Sequence, residues 1–174
     1  MGQLGRHLNE MTIRAVSPDR RIRVLIRGRG QPTVSFADPE AFADYRDAET
    51  LASEVSAALD RASQGLEEGR RKVVDRFARQ PWSMGEHWNG DMRRMYQEIN
   101  DNPVEGFSGA NVRVATRGLK RWRVRIRPGA LQTLTAQKFL SEVNIAIRLA
   151  NQQYFSTMRR VKSKTLGGTT PVLR

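Results

Sequence analysis

The chain has no cysteine in its 174 residues and only two histidines, His7 and His87. Without thiols there can be no disulfide, no thiolate nucleophile and no cysteine metal centre. Neither histidine has a ligand pattern around it, so no metal site and no histidine base is expected. Long hydrophobic runs are missing as well. No stretch approaches the roughly 18 apolar residues of a membrane helix, and the N-terminus lacks a signal-peptide apolar region. A soluble cytoplasmic protein with no membrane partner is the expectation. Phosphate loops and nucleophile elbows are also absent, so we assign no catalytic residue and no cofactor, and expect a non-enzyme. Acidic residues are scarce: 18 against 30 basic ones, a net charge of +12 and a pI of about 11.2. That excess points to a polyanionic partner.

Arginine is what the sequence has in quantity, 25 of the 30 basic residues. Its planar fork suits bidentate contact with phosphate. The charge is unevenly spread. Residues 1–80 hold 14 bases and 12 acids, whereas residues 81–174 hold 16 and 6. The densest stretch runs from Lys120 through Arg121, Arg123, Arg125 and Arg127, with Trp122, Val124 and Ile126 between. Strict alternation marks a strand with one buried and one wet face. The wet face would carry guanidinium groups about 6.5–7 Å apart, a row of like charges that a polyanion would relieve.

Apolar residues make up 39% of the chain, enough for a packed core. Alternation predicts strands over 11–16, over 21–27 with Ile22, Val24 and Ile26 inward, and over 33–36 with Val34 and Phe36 inward. Gly28-Arg29-Gly30 would turn the second of these into the third. The first ten residues predict no more than a stub of helix, and Asp38-Pro39 opens a short helix to about Tyr45. Asp47 would cap a long helix whose stripe runs through Leu51, Val55, Ala58, Leu59, Ala62 and Leu66. A capping box at Ser83–Glu86 predicts a helix presenting Met84, Trp88, Met92, Met95 and Ile99, stopped at Pro103. Strands then follow over 104–108 and 112–117, the latter with Arg113 and Arg117 outward, before the arginine-rich strand. A final helix from about Thr135 to Val161 precedes a polar tail expected to be mobile. No outward-facing strand aromatic is visible on which bases would stack, since Trp122 should point inward; this ranks RNA behind duplex DNA.

The two halves share one plan. At an offset of 90, Ile22-Arg23-Val24 lies over Val112-Arg113-Val114, and Val34 and Phe36 lie over Val124 and Ile126. At an offset of 88, Leu51, Glu54, Val55, Ala58, Leu59 and Ala62 lie over Phe139, Glu142, Val143, Ala146, Ile147 and Ala150. The predicted class is α+β, with two β-β-β-α repeats at 1–80 and 81–164, the second with its own N-terminal helix, and a tail at 165–174. Each repeat leaves an apolar helix stripe to cover, so the two should pack as an intramolecular pseudo-dimer, or else form a homodimer.

A three-stranded meander, a Gly-Arg-Gly turn and a helix built on Leu51-x-x-Glu54-Val55-x-x-Ala58-Leu59-x-x-Ala62 together resemble the YbaB/EbfC family of nucleoid-associated proteins. The likeness extends from about Met11 to Arg79 and, more faintly, from about Met84 to Lys164. It implies duplex DNA binding with little sequence specificity. Related domains also look to occur in type VII secretion accessory proteins, which implies a secretion-associated adaptor or chaperone binding an acidic protein as the alternative. For DNA, the residues we single out are Arg21, Arg23, Arg27, Arg113, Arg117, Lys120, Arg121, Arg123, Arg125 and Arg127, with Arg159, Arg160, Lys162 and Lys164 as a second cluster.

Overall fold

Alternating apolar residues make strands and three- and four-residue spacing makes helices. The computed structural model, which describes residues 3–28, 30–77 and 90–167, obeys both rules. A two-turn helix α1 (Gln3–Glu10) leads into β1 (Thr12–Val16), β2 (Ile22–Arg27) and β3 (Thr33–Phe36), and then a long helix α2 (Ala48–Phe77). The order repeats with α3 (Gly90–Asp101), β4 (Val104–Ser108), β5 (Val112–Arg117), β6 (Arg121–Ile126) and α4 (Ala136–Gly167). Each strand triplet is an antiparallel meander, β1-β2-β3 and β4-β5-β6. The fold is the expected α+β pair of β-β-β-α units.

Boundaries differ from expectation in three places. The short helix after Pro39 is only a 3-10 turn, Ala41–Asp44, because the chain returns to extended backbone at Tyr45. Residues Gln3–Glu10 form a real helix whose His7 ring lies 4.5 Å from that of Phe77 on α2. The last helix continues six residues past Val161, through Gly167. The capping box at Ser83–Glu86, with Met84 and Trp88, lies outside the described residues, as do Arg29 and everything after Gly167.

Both long helices start on side-chain caps at equivalent positions. Asp47 accepts the Thr50 N–H at 2.7 Å, which holds its carboxyl below the usual range, and Thr135 accepts the Lys138 N–H at 3.2 Å. The inward sides of β2, β5 and β6 then meet the stripes of α2 and α4 in one apolar cluster spanning both repeats. Gly106 marks the tightest approach: a Cβ there would sit 2.0 Å from the Ala146 carbonyl oxygen, so β4 lies backbone-to-backbone against α4. A smaller cluster of Ile99, Val104, Tyr154 and Val161 fixes α3 and the far end of α4 to the start of β4.

The halves are joined reciprocally. Helix α2 packs on β1 and β2 of its own sheet and on β6 of the other; α4 packs on β4, β5 and β3. Asn144 of α4 accepts the Val34 N–H at 2.8 Å and donates to the Val34 carbonyl at 2.9 Å. Ser56 of α2 accepts the Val124 N–H at 2.9 Å. Val34 and Val124 correspond at the offset of 90, and Ser56 and Asn144 at 88. The same bond is therefore made twice about an approximate two-fold axis, and the pseudo-dimer is intramolecular. One further bond has no counterpart: Asp60 accepts the Trp122 N–H at 2.6 Å, while the residue equivalent to Trp122 is Pro32, which has no N–H.

Removing these bonds should loosen the join. Asn144→Ala strands two main-chain groups of Val34 and should cost about 2–4 kcal/mol, read by chemical denaturation. An unchanged midpoint would show that the halves do not depend on this contact. Asp60 behaves differently, because burial raises its carboxyl despite the Trp122 N–H and nearby Arg121. A carboxyl raised on folding binds its proton more tightly in the folded chain, so its contribution is present at low pH and declines as pH rises through the folded value. Asp60→Asn keeps an acceptor without the buried charge and should melt no lower than the parent at neutral pH. That advantage should shrink on acidification, and Asp60→Ala should melt lower than both.

Candidate nucleic-acid interface

Pleating sends alternate residues of a strand to opposite faces. In the second sheet the inner face takes Val112, Val114, Thr116, Trp122, Val124 and Ile126, all buried. Trp122 is 5% exposed, and its indole N–H donates to Ser63 Oγ at 2.8 Å. The outer face is left with Arg113 and Arg117 on β5 and Arg121, Arg123 and Arg125 on β6, all exposed. Register sets Arg113 opposite Arg125, Ala115 opposite Arg123 and Arg117 opposite Arg121. Directly opposed side chains on one face lie about 4.5–5.5 Å apart at Cβ, and like charges there destabilise the sheet. Arg127 follows on the same edge, its N–H bonded to the Asn111 carbonyl at 2.8 Å.

Not every predicted cation is equally available. Arg113 lies 3.7 Å from Glu105 and stacks 4.5 Å over the Phe107 ring. Lys120 pairs with Glu67 on α2, which draws it from the sheet face. Arg21 pairs with Asp44 at 3.5 Å and lies over Tyr45. Its own N–H joins a knot on Asp19, which also accepts from Ser17 at 2.5 Å and Tyr45 at 2.6 Å. Burial would raise the Asp19 carboxyl, but these bonds outweigh it and hold the carboxyl low; burial and the Asp19 bond push the Tyr45 phenol up. Arg21 is therefore part of the scaffold. Arg23, Arg27, Arg117, Arg123, Arg125 and Arg127 make no ion pair with a described residue.

The first sheet is sparser. Arg23 faces Val16 and Ser35, and Arg27 faces Thr12. Arg14, which the sequence reading did not single out, shares this face opposite Leu25; Ile13 beside it points inward, so the alternation signal was present. No two arginines oppose each other there. Arg159, Arg160, Lys162 and Lys164 occupy the exposed last turns of α4 and do not join the sheet. Arg159 instead lines a groove of about 760 Å³ that also holds Arg70 and Arg148.

One expectation is corrected. A strand aromatic does face outward: Phe107 on β4, 49% exposed. Gly106 must turn inward because only a residue without Cβ fits against Ala146, and Phe107 is consequently sent out. No helix of the described residues is long and apolar enough to cross a membrane.

The model of the YbaB/EbfC DNA-binding family matches residues 1–80. The match covers the first repeat, where it bears out the resemblance, and the second unit repeats the same order of elements. No curated protein and no solved structure matches the chain.

The two faces of β6 make opposite predictions. Changing Arg121, Arg123 and Arg125 together to serine should weaken duplex DNA binding by at least about tenfold. The fold should survive, because cross-strand repulsion is relieved. Trp122→Ala should cost about 3–5 kcal/mol of stability. A triple variant that melts early beside a stable Trp122→Ala would reverse the assignment.

Proposed function

Starting from a first repeat that matches the YbaB/EbfC DNA-binding family, we propose that the chain is a non-enzymatic protein that binds duplex DNA largely regardless of sequence, through the arginine face of its second sheet. The observation that carries this reading is the register of β5 and β6. Two arginine–arginine pairs oppose each other on one exposed face, and Arg123 stands between them. Such an arrangement lowers stability in the free protein and is relieved when phosphates draw in between the guanidinium groups. Sequence independence follows from the chemistry. Arginines spread across a flat sheet meet phosphates, which fix position but carry no base identity. Affinity would come from release of the counterions condensed on the duplex.

Arg113, Arg117, Arg121, Arg123, Arg125 and Arg127 are the contacts we assign. Arg14, Arg23 and Arg27 give the first sheet a weaker face of the same kind. Lys120 and Arg21 act through the scaffold, and the cations on the last turns of α4 would reach DNA only alongside the helix.

Salt titration tests the mechanism. Six phosphate contacts should give a slope of about −5 in log K against log salt, and scrambled duplexes should bind within a few-fold of one another. A flat salt dependence would sink the electrostatic mechanism, and strong discrimination between duplexes would sink the sequence independence.

A further inference from the structure

We propose that the same sheet face also holds an unpaired base, stacked on Phe107 and Arg113, so that the protein binds single-stranded DNA in addition to duplex. The proposal rests on the arginine face as a phosphate-binding surface and adds a base platform to it. Phe107 is an aromatic ring on a face whose other residues are charged apart from Ala115, and about half of it is open to solvent. Its neighbour across the sheet is Arg113, whose guanidinium lies 4.5 Å over the ring, and Arg113 in turn faces Arg125. The row Phe107–Arg113–Arg125 runs across the three strands.

A shallow groove of about 450 Å³ follows that row, bordered by Phe107, Arg113, Arg125, Arg127 and Pro128. These are the parts that a single nucleotide uses. An aromatic ring and a guanidinium plane give flat surfaces on which any base can stack, and flanking arginines take its phosphates. Glu105, paired with Arg113, has a further effect. Its carboxylate repels phosphate on the β4 side and so steers the strand's backbone towards Arg125 and Arg127. In the first sheet the position facing the equivalent Arg23 is Val16, apolar but with no π face. The platform belongs to the second repeat.

Paired bases in a duplex are already stacked and present only their edges, so Phe107 has nothing to stack on there. Its removal should separate the two substrates. The full chain is titrated by fluorescence anisotropy with a labelled oligothymidylate of about 20 nucleotides, long enough to cover one such face, and with a labelled duplex of equal length. Phe107→Ala should weaken single-strand binding by about tenfold. Duplex affinity should stay within about twofold, since intact base pairs must be unstacked before a ring can engage them. Phe107→Leu, which keeps apolar bulk, should fall with Ala, and Phe107→Tyr should retain binding. Melting temperatures of the three variants read any loss of fold separately.

Failure of the parent chain to bind the single strand while it binds duplex overturns the base platform and leaves the duplex reading standing. Equal losses on both substrates in Phe107→Ala overturn it too, because Phe107 would then act only by setting Arg113. Unchanged single-strand affinity in Phe107→Ala does the same. Single-strand binding that depends on Phe107, without duplex binding, supports the platform and overturns the duplex reading.

Discussion

A strand at the edge of a sheet carries N–H and C=O groups that need partners. In each repeat the third strand is such an edge, and the side chain that satisfies it comes from the other repeat. Asn144 serves Val34, and Ser56 serves Val124. Neither sheet is complete without the opposite helix, so the apolar stripes of α2 and α4 are brought into one core rather than two. Everything else follows from that closure. With the inner faces and helix stripes consumed by the join, the outer sheet faces are the broad surfaces left for a partner.

The pleat then divides the work of β6 by parity. Trp122, Val124 and Ile126 are inside and hold the halves together, while Arg121, Arg123 and Arg125 are outside and strain them by repulsion. A packed core can bear that strain because burial of one large aromatic outweighs several screened charge pairs. The first sheet carries less: its arginines face valine, serine, threonine and leucine, and Arg21 is tied into the Asp19–Tyr45 knot. The described residues form two sheets of one design, and the second carries the denser charged face.

Most of this architecture is legible in the sequence because period-two and period-3.6 patterns report burial directly. The offsets of 90 and 88 that align the repeats also pair Val34 with Val124 and Ser56 with Asn144, so the symmetry of the join was implicit in the alignment. What escaped did so for physical reasons. Phe107 sits in a strand whose inward positions are valine, glycine and serine, a weak alternation, and only the nearness of the α4 backbone explains the glycine. The extension of α4 past Val161 adds Lys162, Ser163, Lys164, Thr165, Leu166 and Gly167, with a single large apolar residue among them, so no period marks it. Lys120 is neutralised by Glu67, far away in sequence and on another element, which no local pattern reveals. The 3-10 turn at Ala41–Asp44 shows the limit of a capping signal when the residues after it must rejoin the core at Tyr45.

The join is symmetric at Val34 and Val124 but not two residues earlier, at Trp122 on β6 and at Pro32 just before β3. There Trp122 offers an N–H and α2 answers with Asp60; Pro32 offers none, and the helix position equivalent to Asp60 is Arg148, which lies beside Pro32 and Gln31. The consequence is a one-way street. Two copies of the first repeat would set a half-buried carboxylate against a proline that cannot donate to it. Two copies of the second would set a guanidinium against the Trp122 N–H, donor facing donor. Pairing the two different halves avoids both mismatches, so the asymmetric residues Asp60, Arg148, Pro32 and Trp122 favour the arrangement within one chain over self-pairing of either half.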